Sequence, residues 1–284
     1  MPGRLLTRAL LTRALLAAAL AAALAGGVAA GATSALAAAQ PGATHCSTRL
    51  DTRLANFAHR HRGVTLSVAV RDLTTGAGYG YRRHAQERTA SIVKVEILEA
   101  LLHTYRRGLP SGLAAVATAM IERSDNSAAE RLYRRVGRAA GLRTFGRLAG
   151  LRETAPAAAT GPGYAWGLTL TSASDQVRLL ALLTRRNTLL TDVNRQFALR
   201  LMRHVVSSQR WGVTSGVGDS RVALKNGWLP LRNWSSNWQI NSIGVVHGGV
   251  RDYLIAIESH GADTMSDGVA IVEQVSRLVA RACG

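Results

Sequence analysis

An α+β fold follows from how helix and strand patterns are distributed along the 284-residue chain. Alternating apolar residues cluster at its two ends, helical periodicity fills its middle, and its only two cysteines, Cys46 and Cys283, bracket everything between. Segregated runs of strands and helices belong to α+β architectures rather than to alternating α/β ones. The two ends are expected to share one antiparallel five-stranded sheet. Helices near each terminus flank it, and an all-helical subdomain is inserted between the two halves.

Each element has a local cause. Leu50, Leu54 and Phe57 share one helical face, and Gly63 ends that helix. Leu66, Val68 and Val70 alternate as a strand, Thr74-Thr75-Gly76 turns, and Gly78–Arg82 returns. A helix begins near Ser91 and stops at Gly108-Leu109-Pro110; helices over 111–123 and 126–136 follow, and another runs to Ala149. Residues 151–168, broken by Pro156, Gly161, Pro162 and Gly163, read as irregular. Ser172 to Asp175 resembles a capping box before a helix over 177–185, and 192–205 is another helix. Strands follow around Val222 and Leu224, over 238–247 and over 253–259, with Ser235-Ser236 and Gly248-Gly249 as turns. An amphipathic helix over 266–281 closes the chain. The expected division is 40–84 plus 205–284 for the α/β part and 85–204 for the helical part.

Residues 1–39 read as a cleaved signal peptide. Arg4, Arg8 and Arg13 precede an alanine/leucine run, and Ala37-Ala38-Ala39 offers a cleavage site. The alternative is an uncleaved anchor, against which stands the weak hydropathy of so alanine-rich a run. No lipid-attachment box precedes Cys46. An even cysteine count in an exported chain favours a Cys46–Cys283 disulfide over two free thiols. A secreted or envelope location follows, with no stable membrane insertion after cleavage.

The formal charge is +18, and about +15 remains without the leader. The arginines are scattered along helices and accompany no nucleic-acid-binding motif, so nucleic acid is not an expected partner. An anionic cell-wall polymer is the partner such a surface would attract. His59-x-His61 lacks companions for a metal site, no phosphate-binding glycine loop is present, and neither metal nor organic cofactor is expected.

Lysine occurs only twice, as Lys94 and Lys225, in a chain that otherwise meets its need for cations with arginine. Lysine can shed its proton and serve as a base, which a guanidinium cannot. Lys94 lies three residues after Ser91, on the same helical face. Serine needs such a base to become a nucleophile. Burial and a second cation, for which Lys225 is the candidate, lower an amine's pKa. The helix start supplies an N–H and a dipole for an oxyanion. Ser124 lies at a junction between two helices and can relay a proton, and Asn126 can bind a substrate amide. Gly227, two residues beyond Lys225, leaves room for a substrate backbone along a strand edge. The Trp228 N–H is the candidate second oxyanion donor. Trp228 is also a candidate groove wall, more so than Trp234 or Trp238.

Ser91-Ile92-Val93-Lys94, Ser124-Asp125-Asn126 and Lys225-Asn226-Gly227, in that order, resemble the signature of the penicillin-recognising serine hydrolases, most of all the class A β-lactamases. The resemblance spans the mature chain. It implies a β-lactamase/transpeptidase-like fold and an acyl-enzyme on Ser91. Lys94 would be the general base, Ser124 the proton relay and Asn126 the holder of the substrate amide. Lys225 would attract a substrate carboxylate, and the Ser91 and Trp228 amides would form the oxyanion hole. The implied substrate is a β-lactam or an acyl-peptide, and the expected assembly is a monomer.

Three departures stand out. Asn226 occupies a position where the family has threonine. Only 33 positions separate Ser91 from Ser124, which shortens one wall of the gorge. The loop that should carry a glutamate to activate the deacylating water, expected near Thr160, offers only Glu153, too early in the loop. Glu153 reads as a surface acid and Asp175 as a helix-capping one. Acylation is therefore expected, with impaired hydrolysis of the acyl-enzyme. The activity the resemblance implies is β-lactam hydrolysis; the competing readings are a D,D-peptidase-like or esterase activity with weak or no β-lactam turnover, and a penicillin-binding module that does not turn over.

Overall fold

The computed structural model describes Cys46 and residues 49–157, 164–232, 236–248 and 251–283. Residues 1–39, read above as a leader, and Thr160, Trp234, Ser235 and Gly249 lie outside them.

Helix α1 (Leu50–Arg60) buries Leu50, Leu54 and Phe57, the face read from the sequence. It packs against α8 (Met265–Cys283), which buries Val272, Val275 and Val279. Cys46 and Cys283 form a disulfide across 237 positions and tie the first helix to the last. The Cys46 sulfur is thereby committed to a bond that a lipid-modified cysteine could not make.

Strands β1 (Thr65–Asp72), β2 (Gly78–Tyr81), β5 (Val222–Arg232), β6 (Ser236–Gly248) and β7 (Arg251–Ala262) form one antiparallel sheet in the order β2-β1-β7-β6-β5. Both ends of the chain thus meet in one sheet, as α+β patterning implies. The last strands are longer than the alternation suggested, and Ser236, read as a turn, opens β6. A second small sheet was not foreseen: β3 (Gln86–Arg88) pairs with β4 (Leu170–Ser172). Three residues give too short a run for alternation to register.

The helical part comprises α2 (Val93–Thr104), α3 (Ser111–Glu122), α4 (Asn126–Arg135), α5 (Arg138–Ala149), α6 (Ala173–Thr184) and α7 (Asp192–Arg203). Helix α2 is buried from Val93 to Leu102 on every side. A helix surrounded in this way is central rather than amphipathic. Ser172 caps α6 by accepting from Asp175 N at 3.1 Å, as the capping-box reading required. The segment after Leu151 is irregular, with one bridge from Ala155 to Leu170 and a 3₁₀ turn over Ala165–Leu168.

Candidate active site

The site forms where the start of α2, the α3–α4 junction and the free edge of β5 converge. Ser91 does not begin the α-helix itself. It lies in a 3₁₀ turn, Ala90–Ile92, that feeds directly into α2. Ala90, just before it, has φ +45°, a left-handed conformation that costs an alanine about 1 kcal/mol or more. That strain is opposed by anchors. Asn241 on β6 donates through Nδ2 to the carbonyls of Arg88 (2.8 Å) and Thr89 (2.9 Å). Thr89 N donates to Thr169 O at 2.8 Å.

Gly227 faces this turn. A Cβ there would stand 2.7 Å from Ser91 N, 2.8 Å from Ile92 N and 2.9 Å from Thr89 O. The space read from the sequence as room for substrate is therefore filled by the backbone that carries Ser91. Asn226 points elsewhere: its Nδ2 donates to Gln209 O (2.8 Å) and Trp211 O (3.1 Å). One amide ties β5 to the preceding loop through two carbonyls. Threonine has a single donor and could satisfy only one of them.

Ser124 also has a left-handed backbone, φ +55°, and Asp125 caps α4 by accepting from Ala128 N at 2.6 Å. The turn sets the Ser124 hydroxyl between the two lysines. Lys94 Nζ donates to Ser124 Oγ (3.0 Å), Ser124 O (2.6 Å) and Asn126 Oδ1 (2.7 Å). Lys225 Nζ donates to Ser124 Oγ (3.1 Å) and to Asn226 O (2.9 Å). The Ser91 hydroxyl has no hydrogen-bond partner among the described residues, so the expected Ser91–Lys94 contact is replaced by one from Lys94 to Ser124 and Asn126. The Asn126 acceptor is used internally, which leaves its Nδ2 as the donor available to a ligand.

Both lysine side chains are fully buried. Desolvation lowers Lys94 to about 7, against a small opposing pull from Asp125. Lys225 is held well below its ordinary value, first by burial and then by the charge of Lys94. The second-cation effect read from the sequence thus falls on Lys225, while Lys94 owes its shift to burial.

A pocket of about 510 Å³ opens over this cluster. Ser91, Ser124 and Asn126 line it, and Trp228, Trp238, Trp166 and Tyr164 supply aromatic walls. Lys225 does not line it. The cation that does is Arg123, an exposed residue the sequence reading passed over. Trp166 was also missed: its ring lies 4.9 Å from Lys94 Nζ. Among the described residues no carboxylate lines the pocket, and residues 158–163 contain none. Glu153 instead engages His84 at 2.8 Å and the Ser172 hydroxyl. Asp175 is buried, accepts from Glu153 N (2.7 Å) and Thr154 Oγ1 (2.9 Å), and pairs with Arg178 at 2.5 Å. Both acids hold the irregular segment in place.

Residues 108–283 match the family model described as "Beta-lactamase enzyme family". The chain belongs to that family. Its matching span begins after Ser91 and Lys94. Among curated relatives of this beta-lactamase-family chain is the candidate lipoprotein LppW of Mycobacterium tuberculosis, 31% identical over 230 residues, covering 76% of this chain and 70% of that protein. Solved structures share the fold. PBP-A superposes with a TM-score of 0.70 at 22% identity over 83% of this chain and 96% of PBP-A. A class A beta-lactamase from Bacteroides cellulosilyticus gives 0.70 at 15% identity over 84% and 98%.

Proposed function

We propose that the protein is an exported serine hydrolase that forms an acyl-enzyme on Ser91 with β-lactam or acyl-peptide amides and releases it slowly. The observation that carries this reading is the Ser124 hydroxyl bracketed by two buried amines beside a pocket lined by Ser91. In this mechanism Ser91 Oγ attacks the substrate carbonyl and its proton passes to neutral Lys94. An amine with a pKa near 7 is matched to that task at neutral pH. The proton then travels through Ser124 Oγ to the leaving nitrogen. The Ser91 and Trp228 N–H groups receive the oxyanion, Asn126 Nδ2 holds a substrate carbonyl, and Arg123 is the exposed cation for a substrate carboxylate.

Deacylation needs a water activated by a base. Among the described residues no carboxylate lines the pocket to serve as that base, and Trp166 covers the Lys94 amine with an apolar face. This favours a peptidase-like or penicillin-binding behaviour over rapid β-lactam turnover. A PBP-A mutant of the same fold is described as an acyl-enzyme complex with penicillin G. The test is intact-mass spectrometry of the mature protein with a penicillin over time, beside Ser91→Ala. A lasting single adduct that Ser91→Ala lacks is the expected result. An adduct that clears as product accumulates would mean efficient hydrolysis. No adduct at all would overturn penicillin recognition.

A further inference from the structure

The five-stranded sheet has β5 at one edge, beside the active site, and β2 at the other. Near that second edge, between β1, the turn into β2 and the first half of α6, lies a separate cavity of about 260 Å³. Among the described residues three arginines line it, Arg71, Arg83 and Arg178, and no acid does. A fourth, Arg185, reaches its rim: its guanidinium lies 4.0 Å from where a Cβ on Gly76 would stand. Arg83 Nη1 lies 3.4 Å from the same point on Gly78.

Guanidinium groups repel one another, and a fold gathers them without an acid only at a cost. Here the cost is visible in two ways. Arg71 Nε is buried with no hydrogen-bond partner. Burial, then the charges of Arg185 and Arg178, lower the Arg71 pKa from its ordinary value. The carboxylates nearby in sequence are engaged. Asp72 accepts from Thr74 N (2.8 Å) and Thr75 N (3.0 Å) and pairs with Arg251, and Asp175 takes only Arg178 of the four. Ser174, in the first turn of α6, also lines the cavity, and that helix end favours a negative charge. Of anions that guanidinium forks bind, a phosphoryl group presents the most charge and the most acceptor oxygens.

We infer that the cavity formed by Arg71, Arg83, Arg178 and Ser174 is a binding site for a phosphate-class oxyanion, separate from the Ser91 pocket. The source is either a small free phosphate or a phosphodiester of an envelope polymer. The two share the chemistry and differ in whether a substituted oxygen is accepted.

The test measures thermal stabilisation and calorimetric binding of the mature full-length protein. Inorganic phosphate and a bis-glycerol phosphodiester are titrated against chloride at matched ionic strength. Arg83→Ala/Arg185→Ala is the informative variant, because both side chains are exposed at the rim. Arg131→Ala/Arg134→Ala on α4 removes the same charge elsewhere. Saturable phosphate binding that weakens tenfold or more in the rim variant, and less than twofold in the α4 variant, is expected. Phosphate binding without diester binding assigns a small phosphate; binding of both assigns a phosphodiester. Equal weakening in the two variants, or no binding of either probe by the wild type, overturns the site. Acylation of Ser91 is followed in parallel and is expected to be unchanged in both variants, so a failure of the penicillin reading would not be mistaken for a failure of this one.

Discussion

Replacing Gly227 by alanine should disturb the turn that carries Ser91 more than any surface change. The added Cβ would meet three backbone atoms at 2.7, 2.8 and 2.9 Å, where ordinary contact begins near 3.4 Å. Clearing them requires a displacement of about 0.5–1 Å. The turn cannot withdraw freely, because Asn241 holds the carbonyls of Arg88 and Thr89 at 2.8 and 2.9 Å. Overpacking of this kind costs about 1–3 kcal/mol. In a domain of this size that lowers the melting temperature by roughly 2–4 °C per kcal/mol. A catalytic group displaced by about 1 Å loses roughly 100-fold in rate. Calorimetric melting and the second-order rate of penicillin acylation measure the two effects separately. Gly63→Ala is the control, since nothing lies within 4 Å of its added carbon. If Gly227→Ala melted and acylated like the wild type, the close approach of β5 to the Ser91 turn would be wrong.

Acylation should rise with pH and level off above a midpoint near 7, the value to which burial lowers Lys94; a pH–rate profile flat from pH 5 to 9 would exclude it as the base. Glu96, buried without a partner, is raised to about 8 by burial first and by Asp175 second. A carboxyl whose folded pKa is raised contributes stability that is complete below about 4.5 and is lost progressively up to about 8. Glu96→Gln should therefore leave denaturant stability unchanged near pH 4 and raise it at pH 8.5, by roughly 5 kcal/mol at most; an equal gain at both pH values would sink this account. Reducing the Cys46–Cys283 bond should cost about 5 kcal/mol in the chain-entropy picture, read as a lower denaturation midpoint under reducing conditions.

Most of the architecture was legible because its signals are local and periodic. The apolar stripe of Leu50, Leu54 and Phe57, the alternation around Val68, and the Ser172 cap each depend on neighbours a few residues away. Lys94 and Lys225 stood out through scarcity, and the fold brings both to Ser124 across 30 and 101 positions. Other site features carry no such mark. Asn241 is one of three amides in β6, with Asn237 and Gln239, and nothing nearby tells that it holds the turn before Ser91. Trp166 sits in a segment without periodicity, and nothing in its neighbours marks a ring that lies 4.9 Å from Lys94 Nζ. Arg123 is one arginine among many.

The sequence by itself determined the α+β order, the buried face of the first helix, the pairing of its two cysteines and the candidate residues for acyl transfer. Only the tertiary structure decided what those residues touch. It turned Lys94 toward Ser124 and Asn126, filled the space at Gly227 with backbone, directed Asn226 to a loop and gathered four arginines at the far edge of the sheet. Periodicity reports which face of an element is apolar, whereas burial, desolvation and close approach depend on segments a hundred or more residues away, and those determine the pKa of an amine and the room beside a serine.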